Sequence, residues 1–163
     1  IEIKKIKKAV KKNPFVYAII KESKPIFNSS LLDDLKQSKK TFSDFISWFK
    51  ETTKDSIKSS KELIELDKLE SNYLTSYSVI YSLILRLRGV FLIKSMLRNK
   101  AFTNYSFKRF MLGYLSESEF KRAYMIYRSV RDDHKFKYSK IEIEMAYRIL
   151  NVLQKEVDSL NAK

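Results

Sequence analysis

Apolar residues in the C-terminal two thirds of the chain recur at steps of three and four, the spacing that gathers them on one face of an α-helix. The clearest run is Ile143, Ala146, Leu150, Leu153, Val157 and Leu160, preceded by Ser139 and Glu142 at the spacing of a capping box. A second box, Ser116 with Glu119, predicts a helix with Phe120, Ala123, Tyr124, Tyr127 and Val130 on one face. Across residues 69–99 two stripes coexist: Tyr77, Ile80, Ile84, Leu87 and Phe91, then Val79, Leu83, Val90 and Leu97. A helix apolar around most of its circumference belongs at the centre of a bundle. A shorter helix with Phe107, Phe110, Met111 and Tyr114 is predicted to start at Asn104 or Ser106 and to stop around Gly113.

The N-terminal third is less regular. Ile3, Ile6 and Val10, interleaved with Lys4, Lys5, Lys7, Lys8, Lys11 and Lys12, predict a short basic amphipathic helix that ends near Asn13-Pro14. Residues 15–22 read as a further helical turn or two and Pro25-Ile26-Phe27 as extended. Asn28-Ser29-Ser30 reads as a loop or a cap for a short segment at 31–37. Thr41 with Asp44 resembles a cap opening a helix with Phe42, Phe45, Ile46 and Phe49 in its stripe and Trp48 alongside. The stripe fades at Thr52-Thr53 and resumes at Ile57, Leu63, Ile64 and Leu66, a pattern that fits one long helix or two. The sum is an all-α protein: an up-and-down bundle of four to five helices over residues 41–163, with a basic N-terminal arm and short helices over residues 1–40.

Composition narrows the chemistry. Two Gly and two Pro are too few for the tight turns of sandwiches and barrels. The absence of Cys removes disulfides and thiolate chemistry, and the single histidine, His134, excludes zinc sites built on two or three histidines. No phosphate-binding glycine loop, dinucleotide fingerprint or H-E-x-x-H motif occurs. No metal and no cofactor are therefore expected. The longest apolar stretch, residues 79–93, is interrupted by Arg86 and Arg88 and is too short to span a bilayer, and the opening IEIKKIKKAVKK lacks a signal-peptide core. The expectation is a cytoplasmic protein without membrane contact, and abundant Lys, Ile and Tyr without Cys would suit a thermophile.

A formal net charge of +14 favours a phosphate polyanion as partner, the alternative being solubilising lysines spread over the surface. Arg86 and Arg88, inside the most apolar helix, must reach solvent, pair with carboxylates such as Asp132, Asp133 or Glu119, or face a ligand. Gly89 beside them predicts close helix packing. The segment Tyr127-Arg128-Ser129-Val130-Arg131-Asp132-Asp133-His134 gathers two arginines, two carboxylates and the histidine. A histidine there would serve as general base on a ribose 2′-hydroxyl while an arginine stabilises phosphorane charge. The competing reading is a helix terminus whose cations offset the dipole. Tyr73, Tyr77, Tyr81, Tyr124, Tyr127 and Tyr147 suit either base stacking or a core whose hydroxyls reach the rim.

The run SLILRLRGVFLIKSMLRNKAFTNYSFKRFM, followed by YMIYRSVRDDHK and a long final helix, resembles the helical C-terminal part of archaeal nucleotidyltransferase-like proteins, a region related to HEPN (higher eukaryote and prokaryote nucleotide-binding) domains. The stretch NPFVYAIIKESKPIFNSSLLDDL is similar to the segment where such proteins leave the nucleotidyltransferase core. The resemblance implies a four- or five-helix bundle, frequently dimeric, that binds nucleotides or RNA. In the ribonuclease members an Arg precedes a His by four to six residues, which Arg128 and His134 match. Ser129 departs from the Asn, Asp or His that usually follows the arginine, and Arg131 competes for the role. The transferase's own catalytic residues are absent, so a preceding domain or separate subunit would have to supply them.

The leading expectation is thus a nucleotide- or RNA-binding bundle, as the substrate-recognition part of a nucleotidyltransferase system. Arg86, Arg88, Arg131, Lys4, Lys5, Lys7 and Lys8 are the binding candidates. The alternatives are a metal-independent ribonuclease using Arg128 and His134, and a non-catalytic interaction bundle or homodimer pairing through its final helix.

Overall fold

The computed structural model describes residues 2–26, 28–133 and 140–160. Helix accounts for 77% of the described residues, so the chain is all-α. The N-terminal segment is more regular than its sequence suggests. It forms α1 (Ile3–Lys12), α2 (Pro14–Glu22) and α3 (Ser29–Gln37). Asn13-Pro14 ends α1 and also starts α2. The Asn13 backbone N–H bonds to Ala9, while its side-chain Oδ1 accepts from the backbone N–H of Phe15 (2.9 Å) and Val16 (3.2 Å). Proline at the first helical position is compatible with that geometry, because its missing N–H would have had no helical partner.

The helix after Thr41 is a single one, α4 (Ser43–Glu70). Its N-cap is Phe42 and no side chain caps it, so the cap expected from Thr41 does not form. The break lies further on. Residues 71–76 leave the helix, a two-residue strand β1 (Tyr73–Leu74) follows, and α5 (Tyr77–Leu97) begins eight residues later than the 69–99 stripe predicts. Asp67, near the end of α4, accepts hydrogen bonds from the backbone N–H of Thr75 and Ser76 (both 2.9 Å) and from the hydroxyls of both residues. One carboxylate therefore ties the turn before α5 back to the end of α4, beside a helix N-terminus where the dipole favours negative charge.

Next come α6 (Asn104–Met111), α7 (Glu117–Asp132), strand β2 (Ile141–Glu142) and α8 (Ile143–Asp158). The capping box at Ser116 and Glu119 forms as expected, and a second joins Thr103 to Ser106 at the start of α6. Ser139 lies outside the described residues. The N-cap of α8 is Glu142, without a side-chain cap bond.

α4, α5, α7 and α8 form an up-and-down bundle. β1 pairs antiparallel with β2, Tyr73 opposite Glu142 and Leu74 opposite Ile141, which brings the end of α4 and the starts of α5 and α8 together. At the other end Lys50 of α4 donates to the carbonyls of Asp158 and Leu160, and Lys94 of α5 meets Glu156 at 2.5 Å. α7 runs against α5, with Tyr127 stacked on Tyr81 and Tyr124 bonded to Arg88. α5 packs on each of the other three helices. Ile80, Leu83, Ile84, Leu87 and Val90 have no exposed surface, and each such burial is worth about 1.5–3 kcal/mol. α2 packs on α5, while α6 covers Phe91 with Phe107 and Phe110. Among the described residues no helix is long and apolar enough to cross a membrane.

Candidate functional site

Over the middle of α5 lies an open groove of about 550 Å³, within the range of small-ligand sites. Its floor is Leu85, Gly89 and Leu92, one face of α5 at helical spacing. A Cβ on Gly89 would sit 2.6 Å from Cζ of Phe49 and 3.3 Å from Cζ of Phe15. The glycine therefore lets α2 and α4 approach α5 closely, as its mid-helix position predicts. Phe15 meets Phe45 edge-on at 5.4 Å and Phe49 at 5.6 Å, forming the aromatic wall on that side. Trp48 packs on Phe45 at 5.4 Å yet stays 55% exposed, so its ring is presented to the groove and to solvent. Phe102 forms part of the lining beside Arg88, and Asn13 contributes from the α1–α2 junction.

Arg86 and Arg88, both half-buried, also line the groove. Two residues apart on a helix, they leave the axis about 200° apart. Arg86 turns towards α4, donating to Thr52 Oγ1 at 3.3 Å with its guanidinium 5.6 Å from the Phe49 ring centre. Arg88 turns towards α6 and α7. It donates to Tyr124 Oη at 2.9 Å and Asn104 Oδ1 at 3.0 Å, among the rings of Phe102, Phe107, Tyr124 and Tyr127.

The carboxylate partners foreseen for these arginines are engaged elsewhere. Glu119 pairs with Arg148 and caps α7, and Asp132 is bound to Arg131. Asp133 is the left-handed C-cap residue of α7. Neither Arg86 nor Arg88 meets a carboxylate within ion-pair distance among the described residues. The groove thus combines two half-buried guanidinium groups with an aromatic lining, a chemistry compatible with anionic and planar groups. The described lining is aromatic and aliphatic apart from Asn13, Arg86 and Arg88.

The other candidates lie apart from it. Arg131 is clamped by Asp132 at 2.7 and 2.9 Å, which raises its pKa further, and stands over the Tyr127 ring at 5.5 Å. Its guanidinium is thereby engaged at the helix terminus, while the side chain remains 43% exposed. Arg128 is 61% exposed and only loosely tied to Asp132, at 3.9 Å. Its suggested catalytic partner His134 lies outside the described residues. Lys4, Lys5, Lys7 and Lys8 are exposed on α1, Lys5 lying 3.7 Å from Glu2.

The tyrosines divide. Tyr127 is buried in a stack with Tyr81 and Tyr124, whereas Tyr147 packs partly buried against the core. Burial, reinforced by nearby Glu65, pushes the Tyr147 phenol up to about 12. Sequence reasoning missed the aromatic walls, and Trp48 was the available signal: a large ring off the buried stripe of its helix. No model of a known family, no curated protein and no solved structure matches the chain.

Proposed function

We propose that this chain is a nucleotide- or RNA-binding helical domain whose site is the groove over α5. The observation that carries the reading is the placement of Arg86 and Arg88, without carboxylate partners, among Phe45, Trp48, Phe49 and Phe102. Guanidinium groups supply charge-assisted bonds to phosphate, and the exposed Trp48 ring supplies stacking that any base satisfies. The +14 charge adds long-range attraction for the same ligands. On the HEPN-like resemblance, the domain would serve as the substrate-recognition part of a nucleotidyltransferase system. Ribonuclease activity is the second reading, favoured by the exposure and loose pairing of Arg128.

The test is a titration of labelled single-stranded RNA in chelator at about 50 and about 200 mM salt, each reaction run on native and denaturing gels. The expected result is a salt-sensitive shift with intact RNA, weakened about tenfold or more in Arg86→Ala, which removes a charge-assisted contact without disturbing an ion pair. Cleavage that disappears in His134→Ala would replace the binding module with the nuclease. Neither shift nor cleavage at low salt would overturn the RNA-binding and ribonuclease readings and leave a mononucleotide or a protein as the partner.

A further inference from the structure

Resting on the reading just given, the geometry points to a single-stranded nucleic acid laid across α5 as the ligand of this groove, rather than a mononucleotide. The arginines do not converge on one point. They leave α5 on opposite flanks, Arg86 bonded to α4 and Arg88 to α6 and α7. The triphosphate of a mononucleotide is one contiguous cluster of charge, which a single flank would satisfy. A strand repeats its phosphates along its length and can meet both guanidinium groups with a base between them. Arg88 is suited to this: two protein contacts hold its orientation, and five N–H donors leave others for phosphate.

The segments that line the groove lead, in chain order, into features that suit a strand more than a mononucleotide. Groove-lining Asn13 follows directly on α1, where Lys4, Lys7, Lys8, Lys11 and Lys12 are exposed. Ten helical residues extend about 15 Å, enough for several phosphates. Later in the chain, groove-lining Phe102 stands between exposed Lys100 and Tyr105. Tyr105 is 75% exposed and follows Asn104, the residue bonded to Arg88, so a second open ring lies next in the chain to a groove contact. Exposed lysines of α1, the arginines and Trp48 of the groove, and exposed Tyr105 of α6 are the kinds of group found on surfaces that hold single strands without sequence preference.

Trp48 is the only tryptophan and lines the groove, so its fluorescence reports occupancy directly. The test titrates the full chain with ATP and with oligoadenylates of increasing length, reading Trp48 emission at constant ionic strength. The expected result is quenching by the oligonucleotides, with affinity rising at least tenfold from dinucleotide to longer strands and ATP binding weakly. Tyr105→Ala should weaken long strands several-fold and leave the dinucleotide almost unaffected. ATP saturating the signal as tightly as the longest strand would overturn the inference and leave the nucleotide reading standing. No quenching and no anisotropy change with labelled strands would overturn both. A duplex binding as tightly as the single strand would reject the stacking role given to Trp48 and Tyr105, and with it the inference.

Discussion

Asp67 shows how much one side chain can hold together in this fold. It is nearly buried near the end of α4, and burial alone would raise its pKa. The hydrogen bonds from Thr75 and Ser76 outweigh that effect and hold the carboxyl below its ordinary value of 3.8. Asp67→Ala strands the backbone donors of Thr75 and Ser76 in the turn that leads into α5, so it should cost about 1–3 kcal/mol at neutral pH by urea denaturation. The sign of the pH dependence follows from the lowered pKa. The Asp67 contribution is complete above 3.8 and is lost as pH falls through the folded value below it, so wild type and Asp67→Ala should converge only in that acid range. Gly89 makes the opposite point, since here an absent side chain matters. Alanine would gain about 1 kcal/mol of helix propensity but would press on Phe49, which is buried and confined by Phe15 and Phe45. Overpacking costs about 1–3 kcal/mol, so Gly89→Ala should lower the melting temperature and also weaken ligand binding at the deformed groove.

At the scale of elements, legibility followed the chemistry of the buried stripe. α7 and α8 could be read because their buried positions are almost all apolar, with a capping box opening α7. α4 could not. Its buried positions are Ile46, Phe49, Thr53, Ile57, Ser60, Ile64 and Asp67, an unbroken helical register in which three members are polar. Thr53 is fully buried because its hydroxyl donates to the Phe49 carbonyl at 2.6 Å. An apolar pattern sees only gaps there, while Leu63 and Leu66, counted with the stripe, are exposed. The arginines of α5 were visible as anomalies, but their neighbours were not, because Phe15, Trp48 and Phe102 come from three other segments. α1 was legible as a basic amphipathic helix, and its function can be tested as a unit. Lys7→Glu with Lys8→Glu touches neither the core nor any ion pair in the described structure. It should leave helix content and melting unchanged and weaken RNA binding. The slope of log affinity against log salt should fall by about 0.7 for each phosphate of a single strand that the helix no longer neutralises.

The whole molecule joins two parts that the sequence separates. Charge and irregular pattern divide an arm at residues 1–40 from a bundle at 41–163, yet the groove needs both, since Phe15 and Asn13 face Phe45, Trp48 and α5 across that boundary. The junction is aromatic and partly buried, and Lys21 adds a bond to Asn99 at 3.1 Å beside the turn after α5. If α2 belongs energetically to the bundle, the two should melt together. Trp48 reports the α2–α4 wall and far-ultraviolet circular dichroism reports all helices, so the two thermal transitions should coincide in the wild type. Phe15→Ala deletes a half-buried ring and should cost about 2 kcal/mol, less than a fully buried phenylalanine because part of that surface is already wet. Both probes should shift by the same amount if folding is one event. A Trp48 transition that moves alone, with the dichroism unchanged, would show the arm docking separately on a bundle already folded. In that case ligand binding should restore coincidence, because a ligand spanning both parts stabilises only their docked form.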